Sequence, residues 1–277
     1  MKKNGLVLGI LCVLALGCDK SPLKKTIDSK QSSQGVIGGQ AVTDEKLRMA
    51  TVSVQMAWGE CSGSYIGNNR VVTAAHCLVP EQGGADTVQF HHATGDFACT
   101  VVEQHSYPDY AKARDPWFDL GVLEIHCDDP RFQEVVPFVL NSPASPSHSS
   151  YGAGYGLTEP NGATTFPVLN FMSLQGFDIR SALQDPEILE SIKKSDKLDE
   201  LVRQVEEEKR MSCYKAQIHA SMFFGDSGGP QYYISSDGSY VLEGINDVLY
   251  TKTEATESIY AFCASRVDFY RDWILAQ

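Results

Sequence analysis

The sequence predicts an all-β fold, a barrel or sandwich of many short strands with a helical insertion and a short C-terminal helix. Three observations carry this. Brief β-branched and apolar runs broken by turn residues recur after Val36. Helical spacing is confined to two stretches, and no alternation of strands with long helices is present. Examples of the strand runs are Thr51-Val-Ser-Val-Gln55, Arg70-Val-Val-Thr73, Thr100-Val-Val-Glu103 and Leu120-Gly-Val-Leu-Glu-Ile125. Val168-Leu-Asn-Phe-Met172 and Tyr240-Val-Leu-Glu-Gly244 continue the pattern.

The N-terminus is a separate matter. Met1-Lys2-Lys3 precedes an apolar run from Gly5 to Gly17, the basic and apolar regions of a secretory signal. The run falls short of the roughly 20 apolar residues a spanning helix needs. Leu14-Ala15-Leu16-Gly17 before Cys18 resembles a bacterial lipobox, which implies a signal peptide over 1–17 and lipidation of Cys18. Residues 18–35 are polar, rich in Lys, Ser and Gln, and read as a flexible tether. The expected location is therefore outside the cytoplasm, anchored to a bacterial membrane as a precursor and periplasmic or extracellular once cleaved.

Beyond the tether, 36–277 holds the folded part. Pro137 to Ser150, rich in Pro and Ser, reads as a connector between two halves. Asp185-Pro186-Glu187 resembles a helix start. A second helix follows Ser195 or Asp196, with Leu198, Leu201, Val202 and Val205 on one stripe. Val267, Tyr270, Trp273 and Ile274 give a short terminal helix. The formal charge of −12 argues against nucleic acid as a partner, because phosphate backbones demand a basic surface. Of the eight cysteines, Cys12 and Cys18 belong to the leader region. Cys61, Cys77, Cys99, Cys127, Cys213 and Cys263 remain, an even set suited to disulfides in an exported chain. No C-x-x-C pair points to zinc, and no cofactor is implied.

The chemistry concentrates in three segments. A hydroxyl is a poor nucleophile unless a base lies beside it and a carboxylate orients that base. Thr73-Ala74-Ala75-His76-Cys77 supplies the base, Asp119 at the mouth of an apolar strand the carboxylate, and Gly225-Asp226-Ser227-Gly228-Gly229-Pro230 a glycine-flanked serine. In the order His, Asp, Ser these segments resemble the signature of the trypsin/chymotrypsin-like serine proteases over Val36 to Gln277. The serine motif also fits the nucleophile elbow of α/β-hydrolases. That fold needs a histidine after the serine, and none follows Ser227.

The resemblance implies two packed antiparallel six-stranded β-barrels, about 36–139 and 140–277, with the site between them. It implies peptide-bond hydrolysis through an acyl-enzyme, with Ser227 as nucleophile, His76 as base then acid, and Asp119 as its orienter. The N–H groups of Gly225 and Ser227 would form the oxyanion hole. Cys61–Cys77 would clamp the histidine loop. Pairing of Cys99, Cys127, Cys213 and Cys263 is left open, with Cys99–Cys127 and Cys213–Cys263 as one solution. Val36-Ile37-Gly38-Gly39 resembles the N-terminus that family zymogens expose, whose ammonium would pair with Asp226. Gly35 is not the basic residue a tryptic activator needs, so the activating protease is open. Cleavage before Val36 would also release the domain from its lipid.

In the primary pocket, the resemblance puts Ser221 at the base, with Leu249 and Phe262 on the walls. This argues against Arg or Lys and for apolar residues in the substrate. The strand after Gly244 reads Ile245-Asn246-Asp247-Val248-Leu249 where the family usually has Ser-Trp-Gly, and Asp247 near Asp119 would be an unfavourable like-charge neighbour unless solvated or hydrogen-bonded. The expected partners are a protein or peptide substrate, an activating protease and, through Cys18, a membrane; a monomer is expected. The competing reading is a protease-like binding module with little or no turnover.

Overall fold

Two-residue turns, β-branched runs and buried aromatics build two sheets in the computed structural model. It describes residues 36, 39–141, 149–156, 168–176, 203, 208–215, 222, 224–251 and 259–277. The signal and tether, Cys18, Ser221 and most of the predicted 185–210 insertion lie outside the described residues.

The first sheet comprises β2 (Thr51–Met56), β3 (Gly59–Gly67), β4 (Arg70–Thr73), β5 (Ala85–Phe90), β6 (Phe97–Ser106) and β7 (Gly121–His126). They close into a six-stranded barrel in the order β2-β3-β4-β7-β6-β5, antiparallel throughout. The β3–β4 hairpin turns on Asn68 and Asn69, whose φ values of 52° and 58° are those of a two-residue turn matching strand twist. Asparagine tolerates this left-handed region better than most side chains. Inward positions bring Val52, Val54, Val71, Val88, Phe90, Leu123 and Ile125 into one core. There Phe90 stacks on Phe97 at 5.2 Å and meets Phe132 edge-on at 5.3 Å.

The second sheet holds β9 (Ser150–Gly154), β10 (Asn170–Gly176), β11 (Met211–Lys215), β12 (Pro230–Ile234), β13 (Tyr240–Thr251) and β14 (Ile259–Arg266). Their pairings run β10-β11-β14-β13-β12-β9 and return from β9 to β10. β1 (Gln40–Ala41) pairs with β10, and β8 (Val139–Leu140) pairs in parallel with β13. Strands from both ends of the first half of the sequence thus join the second sheet. All six predicted cysteines are bonded, as Cys61–Cys77, Cys99–Cys127 and Cys213–Cys263. Cys213 and Cys263 face each other directly across β11 and β14.

Between the sheets lies a second core. Val72, Leu120 and Val122 from the first barrel meet Phe138, Leu169, Tyr232, Leu242 and Ile245. The C-terminal helix forms where its spacing predicts, at Val267–Ala276, and buries Val267, Tyr270 and Ile274 into the same cluster. Among the described residues, two other short α-helices lie outside the predicted ones. α1 (Glu45–Ala50) starts at Asp44, whose carboxylate accepts the Leu47 N–H at 3.0 Å. α2 (Pro108–Ala113) opens on proline and ends at Arg114 with φ 52°. The terminal helix is α3.

Candidate active site

His76 lies in a single 3-10 turn, Ala75–Leu78, directly after β4. The turn is pinned from one side by the Cys61–Cys77 bond to β3. Ala74 and Ala75 are fully buried, so larger side chains there would push the turn off the barrel. Asp119 is placed by another 3-10 turn, Pro116–Phe118, which begins where the Asp115 carboxylate accepts the Trp117 N–H at 3.1 Å. The next residue, Leu120, is fully buried and its carbonyl accepts the Tyr107 N–H, which fixes the chain entering β7.

These two turns bring the imidazole and carboxylate together. Asp119 Oδ2 stands 2.5 Å from His76 Nδ1, and Oδ1 accepts the His76 backbone N–H at 2.7 Å. A buried carboxylate held by two donors of one residue cannot rotate away from the ring. Burial pushes the His76 pKa down, and the charge and hydrogen bond of Asp119 more than offset this, so the net shift is upward from 6.5. The His76 side chain is a third exposed, while that of Asp119 is buried.

The serine segment docks on the same strands. Gly225 and Gly228 have φ values of 93° and 81°, the left-handed region that lets the loop turn this tightly. A Cβ on Gly228 would fall 2.9 Å from Ala74 N, so the residue after Ser227 sits against the segment leading into His76. Ser62, next to Cys61, ties the two together. Its N–H donates to the Ser227 carbonyl at 2.8 Å, and its hydroxyl donates to the Gly225 carbonyl at 2.8 Å. The same hydroxyl accepts the Tyr155 N–H at 3.0 Å, and Thr73 Oγ1 donates to the Ser62 carbonyl at 2.8 Å. Gly228 N donates to the Asn246 carbonyl and Gly229 N to that of Asp226. The Gly225 and Ser227 N–H groups take part in no such backbone pair among the described residues.

Asp226, almost fully buried, accepts the Gly156 N–H at 2.8 Å. Its slot is walled by glycine, since a Cβ on Gly154 or Gly156 would lie 2.9 or 2.6 Å from its carboxyl carbon. Gly154→Ala is therefore expected to destabilise the fold by about 1–3 kcal/mol through overpacking. Denaturant unfolding checks this, and an unchanged midpoint would mean that the slot is not rigid. Val36 is also fully buried, packed with Met172, Tyr214 and Met222. Met222 Sδ lies 3.7 Å from Asn246 Nδ2, which also donates to the Asp226 carbonyl at 3.3 Å.

Of the predicted pocket, Leu249 and Phe262 are direct partners across β13 and β14, while their side chains and Ser221 fall outside the described residues. Asp247, expected as a like-charge neighbour of Asp119, accepts the Ser265 hydroxyl on Oδ2 at 2.6 Å. Ser62, Tyr155, Asn246 and the glycines of Gly152-Ala153-Gly154-Tyr155-Gly156 were missed in the sequence. The glycine repeat was the one signal for them. His76 also lies near the sulfurs of Cys61 and Cys77, but these are bonded to each other and offer no thiolate to a metal.

A six-stranded antiparallel barrel packed on a second sheet, with imidazole and buried carboxylate coupled beside a glycine-flanked serine, defines a serine-peptidase type of domain. The family model for trypsin matches residues 36–274, and the chain belongs to the trypsin family. No curated protein matches the sequence.

Proposed function

We propose that this chain is an exported serine endopeptidase, made as a lipid-anchored zymogen and activated by cleavage before Val36. The observation that carries the reading is the double hydrogen bond from His76 to Asp119 within a segment against which the Ser227 loop is docked. In this reading His76 takes the Ser227 proton as the hydroxyl attacks the substrate carbonyl. Asp119 holds the neutral ring with its proton on Nδ1 and steadies the imidazolium that forms. The Gly225 and Ser227 N–H groups receive the developing oxyanion. Protonated His76 then gives its proton to the leaving amine, and water repeats the sequence on the acyl-enzyme.

Two features of Val36 support the activation step. It is buried in the intact chain next to Met222, close to the network that holds Asp226. Its φ is 48°, where a β-branched residue costs on the order of 1–3 kcal/mol. That torsion is defined by the Gly35 carbonyl carbon, so cleavage removes the constraint. The new ammonium then pairs with Asp226, and the domain leaves the lipid on Cys18 in the same event. The activator recognises a site ending in Gly35, not a basic residue. The pocket formed around Ser221, Leu249 and Phe262 favours apolar side chains over Arg or Lys.

The test compares intact protein with protein whose N-terminus is Val36, using a fluorogenic peptide library and an organophosphonate that labels activated serine. Turnover and labelling are expected only after cleavage, with the cleaved peptides reporting pocket preference. Folded, correctly cleaved protein that neither turns over peptides nor takes the label would leave a binding module as the better reading.

A further inference from the structure

Away from the proposed catalytic residues, the adjacent strands β6 and β7 carry Glu103, His105 and Glu124 on one patch of the first barrel. Glu103 and Glu124 are direct cross-strand partners, next to a register shift between Val101 and Glu103. Two carboxylates facing each other across an antiparallel pair repel unless something neutralises them. Arg70 is the partner of Glu124 on β4, but its guanidinium donates to the Leu275 carbonyl at 3.3 Å. His105 Nε2 stands 3.7 Å from Glu103 Oε1 and 3.8 Å from Glu124 Oε1, too far for hydrogen bonds and nearly equidistant. That nitrogen is shielded from solvent and has no hydrogen-bond partner. One ligand atom from each of the three residues lies within 4.8 Å of the other two.

We propose that Glu103, His105 and Glu124 form a binding site for one divalent transition-metal ion of the zinc type. Ligands at about 2.1 Å from a tetrahedral ion stand about 3.4 Å apart, so small side-chain rotations close this triangle around a metal. One imidazole and two carboxylates complete three positions, and water takes the fourth. The imidazole selects zinc over calcium or magnesium, which prefer oxygen ligands alone. The ion converts the Glu103–Glu124 repulsion into a cross-link between strands. That ladder continues through His105–Val122 and Ser106–Gly121, two residues short of Asp119. The site is therefore a brace for the strand pair that delivers Asp119, with no part in the chemistry at Ser227.

Calorimetric titration of the mature protein with zinc chloride is expected to give one ion per chain. Thermal unfolding should rise by about 5 °C once free zinc exceeds the dissociation constant a hundredfold, which is about the linkage expected for a domain of this size. His105→Gln and Glu124→Gln should each weaken zinc at least about tenfold, with circular dichroism checking that each remains folded. His76→Ala should leave binding intact, separating this site from any metal capture at the histidine of the cleft. Absence of binding in the wild-type protein, undiminished affinity in both glutamine variants, or equal affinity for calcium overturns the proposal.

Discussion

Replacing Ser227 with alanine is expected to reduce peptide hydrolysis by the cleaved protein by on the order of 10⁶ in kcat, with little change in KM or stability. The lost oxygen is the attacking atom in the proposed mechanism. The surrounding loop is held by groups that do not involve it: Ser62 grips the Ser227 and Gly225 carbonyls, and Asn246 accepts from Gly228. The variant should therefore fold and retain peptide binding. Its residual rate would report what the Gly225 and Ser227 N–H groups contribute alone. A variant that keeps a tenth or more of the wild-type rate, after correction for contaminating peptidase, would remove Ser227 from the mechanism.

Asp119→Asn is expected to cost on the order of 10⁴ in kcat. An asparagine can still accept the His76 backbone N–H through its oxygen. Its amide nitrogen would then face Nδ1, forcing the ring proton onto Nε2, the atom that must accept from Ser227. The pH profile should move as well. In the native protein burial lowers the His76 pKa, and the charge and hydrogen bond of Asp119 together raise it by more. Activity needs the neutral ring, so it should rise with pH through a midpoint above 6.5. Without the carboxylate, burial alone remains and the acidic limb should shift to lower pH. The same linkage sets a sign for stability. A pKa raised on folding stabilises fully below the unfolded value and loses that contribution as pH climbs through the folded one. Asp119→Asn should thus destabilise the fold more in mild acid than in mild alkali. An unmoved acidic limb would show that Asp119 does not set the charge state of His76.

The parts of the candidate site that could be read from the sequence are those encoded in contiguous residues. Thr73 to Cys77, the acid at the start of an apolar strand and the glycines around Ser227 each announce themselves locally. The strand runs, the terminal helix and the even cysteine set were legible for the same reason. What holds the site together was not. Ser62 is a small residue within a strand, and its role appears only once the N–H of Tyr155, just after β9, reaches its hydroxyl. Asn246 is a polar residue in a buried strand, and its amide meets Ala153, Met222 and Asp226 only through sheet register. Likewise Asp247 reads as an unpaired charge in the sequence, and the bulge in β13 brings it to the Ser265 hydroxyl. Short capped helices such as α1 and α2 escaped because a single turn offers no period to detect.

The terminal helix has a consequence for how the molecule comes into being. The Tyr270 hydroxyl donates to the Trp117 carbonyl at 3.2 Å, and Trp273 packs edge-on against Tyr107 at 5.3 Å. Trp117 lies two residues before Asp119 and Tyr107 binds the Leu120 carbonyl just after it, so the acid is seated by residues translated about 150 positions later. A chain still being synthesised would therefore carry an incomplete charge-coupled pair until its last helical turns arrive. In the proposed mechanism, order of synthesis then delays the coupling of His76 to Asp119 until folding is nearly finished, whatever cleavage does.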